Sequence, residues 1–302
     1  IASFSGTFHG NGYTISGLSL TEGLSVAGLF QRVQEGARIE DLNVSGSVKA
    51  SSACEAAGGL AGRNEGEIEN CSFSGSVSGS STTGGLVGEN TASGVIRASK
   101  SGGAVTGSKM TGGIAGSSRG KIVDCVNGAY VNTVSGDQAI SLENVNLDFS
   151  LDMTKLTTGD ALLSSYDTGG ITGYNAGTIR ACENRAIVGY QHVGYNVGGI
   201  VGRMDLGYVT ACEGYGSVTS ENGSYVGGIA GVTGASVHGN FAKCPLGGKK
   251  YVGGIVGSGV ASKADGSGSS VTWNYSLVAV TDCQQYAGAI SGSDTGAFAN
   301  NY

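Results

Sequence analysis

Glu183 and Glu213 are the residues of this 302-residue chain whose type and spacing come nearest to catalysis. They fill the same place in two alignable stretches, GTIRACENRAIV (177–188) and GYVTACEGYGSV (207–218). If those stretches stack as neighbouring turns, the two carboxylates stand about 5 Å apart, the separation a retaining glycosidase uses for its acid and its nucleophile. The competing reading is a pair of solvated side chains splayed apart and shared with Arg185. The row also stops there, because the next stretch has Phe241 in that place. His9, His192 and His238 could act as bases, but none adjoins a Ser or Cys motif, and the chain has no H-E-x-x-H. A metallopeptidase centre is therefore not expected in this chain. The seven cysteines include no C-x-x-C pair, so no metal or other cofactor is expected either.

Tyrosine is the other candidate for chemistry, here of recognition. Tyr225, Tyr251 and Tyr286 each stand two residues before a Gly-Gly pair, and Tyr195 and Tyr166 lie one place earlier in their own intervals. Strand alternation turns Val226, Val252 and Ala287 inward and the three tyrosines outward. A row of exposed phenol faces suits a sugar ring or a partner protein; the alternative is a ladder that stacks only on itself.

Residues so far apart can share a surface only if the chain repeats. A Gly-Gly-aliphatic-small-Gly unit recurs as GGLAG (58–62), GGLVG (84–88), GGIAG (112–116), GGITG (169–173), GGIVG (198–202), GGIAG (227–231) and GGIVG (253–257). Degenerate copies are AGLFQ (27–31) and GAISG (288–292), and QAISL (138–142) reads as an eroded copy in the one double-length gap. A phosphate-binding glycine loop occurs once per domain; about ten such units, most of them 26–31 residues apart, are architecture. Eight intervals align without gaps on a stretch whose third residue is Ile or Val, from Ile39 to Val271, and whose twelfth is Val or Leu. One period buries too little apolar surface to offset the entropy of ordering it, so the periods must stack. The expected fold is an all-β parallel β-solenoid of about ten coils, right-handed by default. It spans 1–302 as one unit, with an irregular or inserted segment at about 132–168. That segment alternates apolar Val145, Leu147, Phe149, Leu151 and Met153 with polar residues. This pattern makes one face of a covering strand, and Asp148 and Asp152 there are the nearest approach to a cation site. Cys71, Cys125, Cys182 and Cys212 share the sixth position with Leu42, Ser99, Asn240 and Asn274, which makes that column small and inward-facing. A disulfide between Cys182 and Cys212 is within steric reach.

The G-G-[LI]-x-G units, with the lead-in FSGTFHGNGYTISGLSL (4–20), resemble the GLUG motif repeats of bacterial surface and secreted proteins. The resemblance covers nearly the whole chain and implies a non-catalytic adhesin or stalk, with a glycan or a host protein as partner. GLUG repeats also occur beside the catalytic regions of IgA1-specific metallopeptidases, which makes a spacer for such an enzyme one alternative. A carbohydrate-active β-helix lyase or hydrolase is another. The resemblance also implies an extracellular or bacterial cell-surface location. The chain has 57 Gly, 1 Pro and a net charge of −6, and its 17 Lys and Arg are scattered, which argues against nucleic acid. No apolar run approaches the roughly 20 residues of a membrane span. With no starting Met, no secretory signal and no polar cap on the last coil, the sequence reads as part of a larger protein, with more chain or a partner expected beyond Tyr302.

Overall fold

The computed structural model describes residues 1–21, 23–133, 166–190, 194–260 and 268–302. Among these residues there is no helix, and the strand ladders are parallel. The chain winds as a β-solenoid of about nine turns with three sheet faces. One sheet has nine strands, from Ser3–Phe4 to Val256–Gly259, and the second has ten, from Thr7–His9 to Ala297–Ala299. The third takes two strands from most turns, such as Ser72–Ser78 and Thr82–Gly84.

The register follows the repeat. Ile39, Ile68, Ile96, Ile122, Ile179, Val209, Val237 and Val271 pair in succession up the second sheet, each fully buried. Phe8 and Phe298 extend the column at its ends. The aliphatic of each glycine unit, from Leu60 to Ile255, is likewise buried. Like side chains thus stack at the rung spacing of ~4.8 Å, and burying each contributes about 2 kcal/mol. Buried polar columns are satisfied along the same axis. Asn240 Nδ2 donates to Asn274 Oδ1, and Asn274 Nδ2 to Asn301 Oδ1, both at 2.9 Å. A second column runs Asn64 to Asn90 to Ser118.

The corner after the second sheet is left-handed. Asp41, Asn70, Ala98, Asp124, Ala181 and Ala211 all have φ between 48° and 55° there. Short residues dominate this place because a long or branched side chain adds strain in that conformation.

Across the double-length gap where an eroded coil at QAISL (138–142) was expected, the flanking turns pair with each other. Gly112 pairs directly with Gly169, Ile122 with Ile179 and Val131 with Val188. The double-length gap is therefore one turn interrupted between Asn132 and Tyr166, which gives about nine turns instead of ten. QAISL itself, the alternating stretch 145–154 and the pair Asp148 and Asp152 lie outside the described residues.

The interruption also sets the cysteine column. Because Val126 pairs with Glu183 and Glu183 with Glu213, Cys125, Cys182 and Cys212 occupy three consecutive rungs, all buried. All seven cysteines are free thiols, and the Cys182 backbone N–H donates to Cys212 Sγ at 3.5 Å. Burial pushes the Cys125 and Cys212 thiols well up, and Cys71 to about 11.

Candidate functional site

Each glycine unit folds the chain back on itself at an acute inner corner. A Cβ at Gly173 would lie 2.4 Å from the Thr111 backbone nitrogen, and one at Gly116 would lie 2.4 Å from that of Thr83. A Cβ at Gly113 would meet the Gly170 carbonyl and the Asn127 amide at 2.2 Å. The strands on either side of the corner therefore touch backbone to backbone, and only glycine lets them close that far. Repeated turn after turn, the corner makes a notch along the rod.

One wall of the notch is the residue two places before each Gly-Gly. In register these are Val26, Ala56, Thr82, Met110 and Asp167, followed by Asn196, Tyr225, Tyr251 and Tyr286. The other wall is the residue after the last glycine of each unit: Arg63, Glu89, Ser117, Tyr174 and Arg203. Between these walls, in the N-terminal two-thirds of the rod, lies a groove of about 480 Å³.

Charged side chains line that groove in two linked sets. Arg63 Nε donates to Glu89 Oε2 at 2.8 Å, and Arg119 Nη1 to Glu89 Oε1 at 3.1 Å, so one carboxylate joins two guanidiniums. Two turns on, Arg203 Nε donates to Asp205 Oδ1 at 2.9 Å, and the Tyr174 hydroxyl donates to Asp205 Oδ2 at 3.3 Å. Asp167, opposite, is only 3% exposed. Its Oδ1 accepts from Asn196 Nδ2 at 2.8 Å. Burial is the dominant influence on it and raises its carboxyl to about 7, against the smaller opposing pulls of Asn196 and Arg203.

The expected tyrosine row is a stack. Tyr225 and Tyr251 lie with centroids 5.0 Å apart and planes 4° from parallel; Tyr251 and Tyr286 lie 5.1 Å apart at 14°. Lys250 Nζ sits 4.7 Å from the Tyr251 centroid and 5.6 Å from that of Tyr286. All three tyrosines hold left-handed backbone, φ 57° to 65°, whereas Asn196, a residue that tolerates it, fills the slot one rung earlier. Tyr195 is outside this column: it pairs with Ser224 and so lines up with Lys250, and its half-buried phenol is pushed up by desolvation.

Glu183 and Glu213 do face each other in register. Each is engaged by its own neighbour two residues on. Arg185 forks onto Glu183 at 2.6 and 2.7 Å, and the Tyr215 hydroxyl donates to Glu213 Oε2 at 2.6 Å, which pushes that phenol up to about 12. His9 meets Glu40, His238 Nδ1 lies 3.0 Å from Thr272 Oγ1, and His192 lies outside the described residues. Among the described residues no three His, Cys, Asp or Glu side chains cluster to hold a metal ion, and no helix is long and apolar enough to cross a membrane.

Residues 53–78 make one full turn of the ladder, including the corner GGLAG and its buried Leu60. That turn matches the family model of the GLUG motif. The chain carries a GLUG repeat. The same corner closes the GLUG-like turns before and after it in register. A solved structure from Bacteroides ovatus, a candidate immunoglobulin A1 protease, is similar over 89% of this chain and 68% of its own, with 21% identity and a TM-score of 0.47. Among curated proteins no relative matches.

The notch residues Arg63, Glu89, Asp167, Tyr174, Arg203 and Asp205 were not singled out in the sequence. The signal available was positional: Arg63, Glu89, Tyr174 and Arg203 each follow the last glycine of a unit. Their chemistry changes from turn to turn, so no composition pattern marks them.

Proposed function

We propose that this chain is a non-catalytic glycan-binding segment of a secreted or surface-displayed bacterial repeat protein, an adhesin or stalk whose ligand lies along the corner notch. The observation that carries this reading is the notch itself, a longitudinal groove whose charged part and tyrosine stack share one wall. Its backbone N–H and C=O groups are spent in the rung ladders, so a peptide cannot add there as a strand, and recognition has to go through side chains. Side-by-side guanidiniums, carboxylates and phenols offer the mixed donors and acceptors that vicinal hydroxyls need. The rung spacing of ~4.8 Å is also close to the length of one pyranose in an extended glycan.

Backbone strain supports a role for the tyrosines beyond stiffening the rod. A left-handed non-Gly, non-Asn residue costs about 1 kcal/mol or more, and a stacked pair returns about 0.5–1.5 kcal/mol. Stacking alone roughly cancels the strain, leaving the exposed edges and the outer face of Tyr286, 60% exposed, as the gain. The test is a glycan array with the wild-type chain beside a Tyr225→Asn, Tyr251→Asn, Tyr286→Asn variant and an Arg63→Ala, Arg203→Ala variant. Binding lost in both folded variants supports the reading. Binding of no glycan by the wild type overturns it and leaves a stalk or spacer.

A further inference from the structure

We propose that Asp167 is the anchoring subsite for a carboxylate-bearing sugar, so that the notch selects acidic over neutral glycans. This rests on the glycan reading above and deepens it. Asp167 is buried in the wall of the groove, and its Oδ1 is taken by the Asn196 amide. No described residue engages Oδ2, and that oxygen carries the proton while the group is neutral. A carboxylic acid presented in this way donates to a ligand oxygen, and most strongly to a charged one.

The surrounding charges favour an anion. Across the notch from Asp167 lie Arg203, Asp205 and Tyr174, and Lys109 and Arg119 complete the same stretch of lining. Asp205 is held by Arg203 and Tyr174, and Glu89 by Arg63 and Arg119. Lys109 makes no ion pair among the described residues. Among the described lining residues, with Asp167 neutral, four cations (Arg63, Lys109, Arg119, Arg203) face three carboxylates (Glu55, Glu89, Asp205), one positive charge more than negative in a chain of net charge −6. Ionising Asp167 removes that surplus and sets a second carboxylate against the ligand's own.

The sugar carboxylate is ionised throughout the range in which Asp167 titrates, so the affinity follows the protein group. Above neutrality the binding constant for an acidic glycan falls toward tenfold per pH unit. The decisive variant is Asp167→Asn, whose NH₂ mimics the protonated hydroxyl as a donor at every pH while its oxygen still accepts from Asn196.

The experiment is calorimetric titration of the wild type and Asp167→Asn with oligogalacturonate, with a neutral galactan oligosaccharide and with a poly-Glu peptide, at pH 5.5, 7 and 8.5. Circular dichroism checks that both proteins are folded. The expected result is oligogalacturonate binding that weakens at least tenfold for the wild type between pH 5.5 and 8.5 and stays level for Asp167→Asn. Equal, pH-independent binding of the neutral oligosaccharide overturns the anchor while leaving the glycan reading standing. Poly-Glu binding as tightly as oligogalacturonate overturns sugar selectivity. No binding of either oligosaccharide at any pH overturns both.

Discussion

Asp167→Asn also tests the physics of the buried carboxyl without any ligand. An unfolded aspartate titrates near 3.8, and burial raises Asp167 in the folded chain to about 7. Folding therefore favours the protonated form. The stability this group contributes is fully present below pH 3.8, shrinks as the pH rises between the two values, and is gone above the folded one. A shift of about three units corresponds to about 4 kcal/mol in total, at 1.36 kcal/mol per unit. Between pH 5 and pH 8, integration gives a loss of about 2–3 kcal/mol. The asparagine variant keeps the shape and the Asn196 contact but has no charge to desolvate, so it escapes this loss. Urea unfolding of both proteins across that range measures the difference, and comparing the two at each pH cancels every other titrating group. A ¹³C-carboxyl NMR titration of the wild type reads the same quantity directly. A wild-type-minus-variant difference that stays flat with pH, or a carboxyl that titrates near 4, refutes the desolvation argument.

Gly173→Ala puts a methyl against the Thr111 backbone nitrogen, which cannot move aside, and is expected to cost about 1–3 kcal/mol in urea unfolding. Tyr251→Asn exchanges two stacking contacts for relief of left-handed strain, so its stability should stay within about 1 kcal/mol of wild type while array binding falls. Asn274→Leu removes the middle of a buried amide column, stranding the Asn240 backbone N–H that donates to Asn274 Oδ1, and should cost about 2 kcal/mol or more. A thiol reagent added to the native chain should titrate only Cys283, the one cysteine that is not buried, with the other six reacting after denaturation; several fast thiols would contradict the buried column.

Much of the fold was legible because a solenoid writes its core into the sequence at fixed intervals. Ile39 to Val271 align on sequence alone, and each of those residues is buried in register with the next. The tyrosines were legible as a row for the same reason, since Tyr225, Tyr251 and Tyr286 hold a constant offset from the glycines. Their stacking on one another was one of the two readings the row allowed, and ring orientation at a left-handed corner is what realises it. The double-length gap misled for a physical reason: spacing alone cannot tell whether the turn after it pairs with an intervening coil or directly with the turn before it. Only the direct pairing of Gly112 with Gly169 decides between the two, and it brings Cys125 beside Cys182.

By itself, then, the sequence determined the rung, its corners and its inward columns, because stacked turns force chemically like residues to recur. The tertiary structure alone decided the notch and the burial of Asp167. Those depend on side chains from turns tens of residues apart, Arg63 with Glu89 and Asp167 with Asn196, which the repeat leaves free to vary and which acquire joint properties only when stacking sets the turns in register.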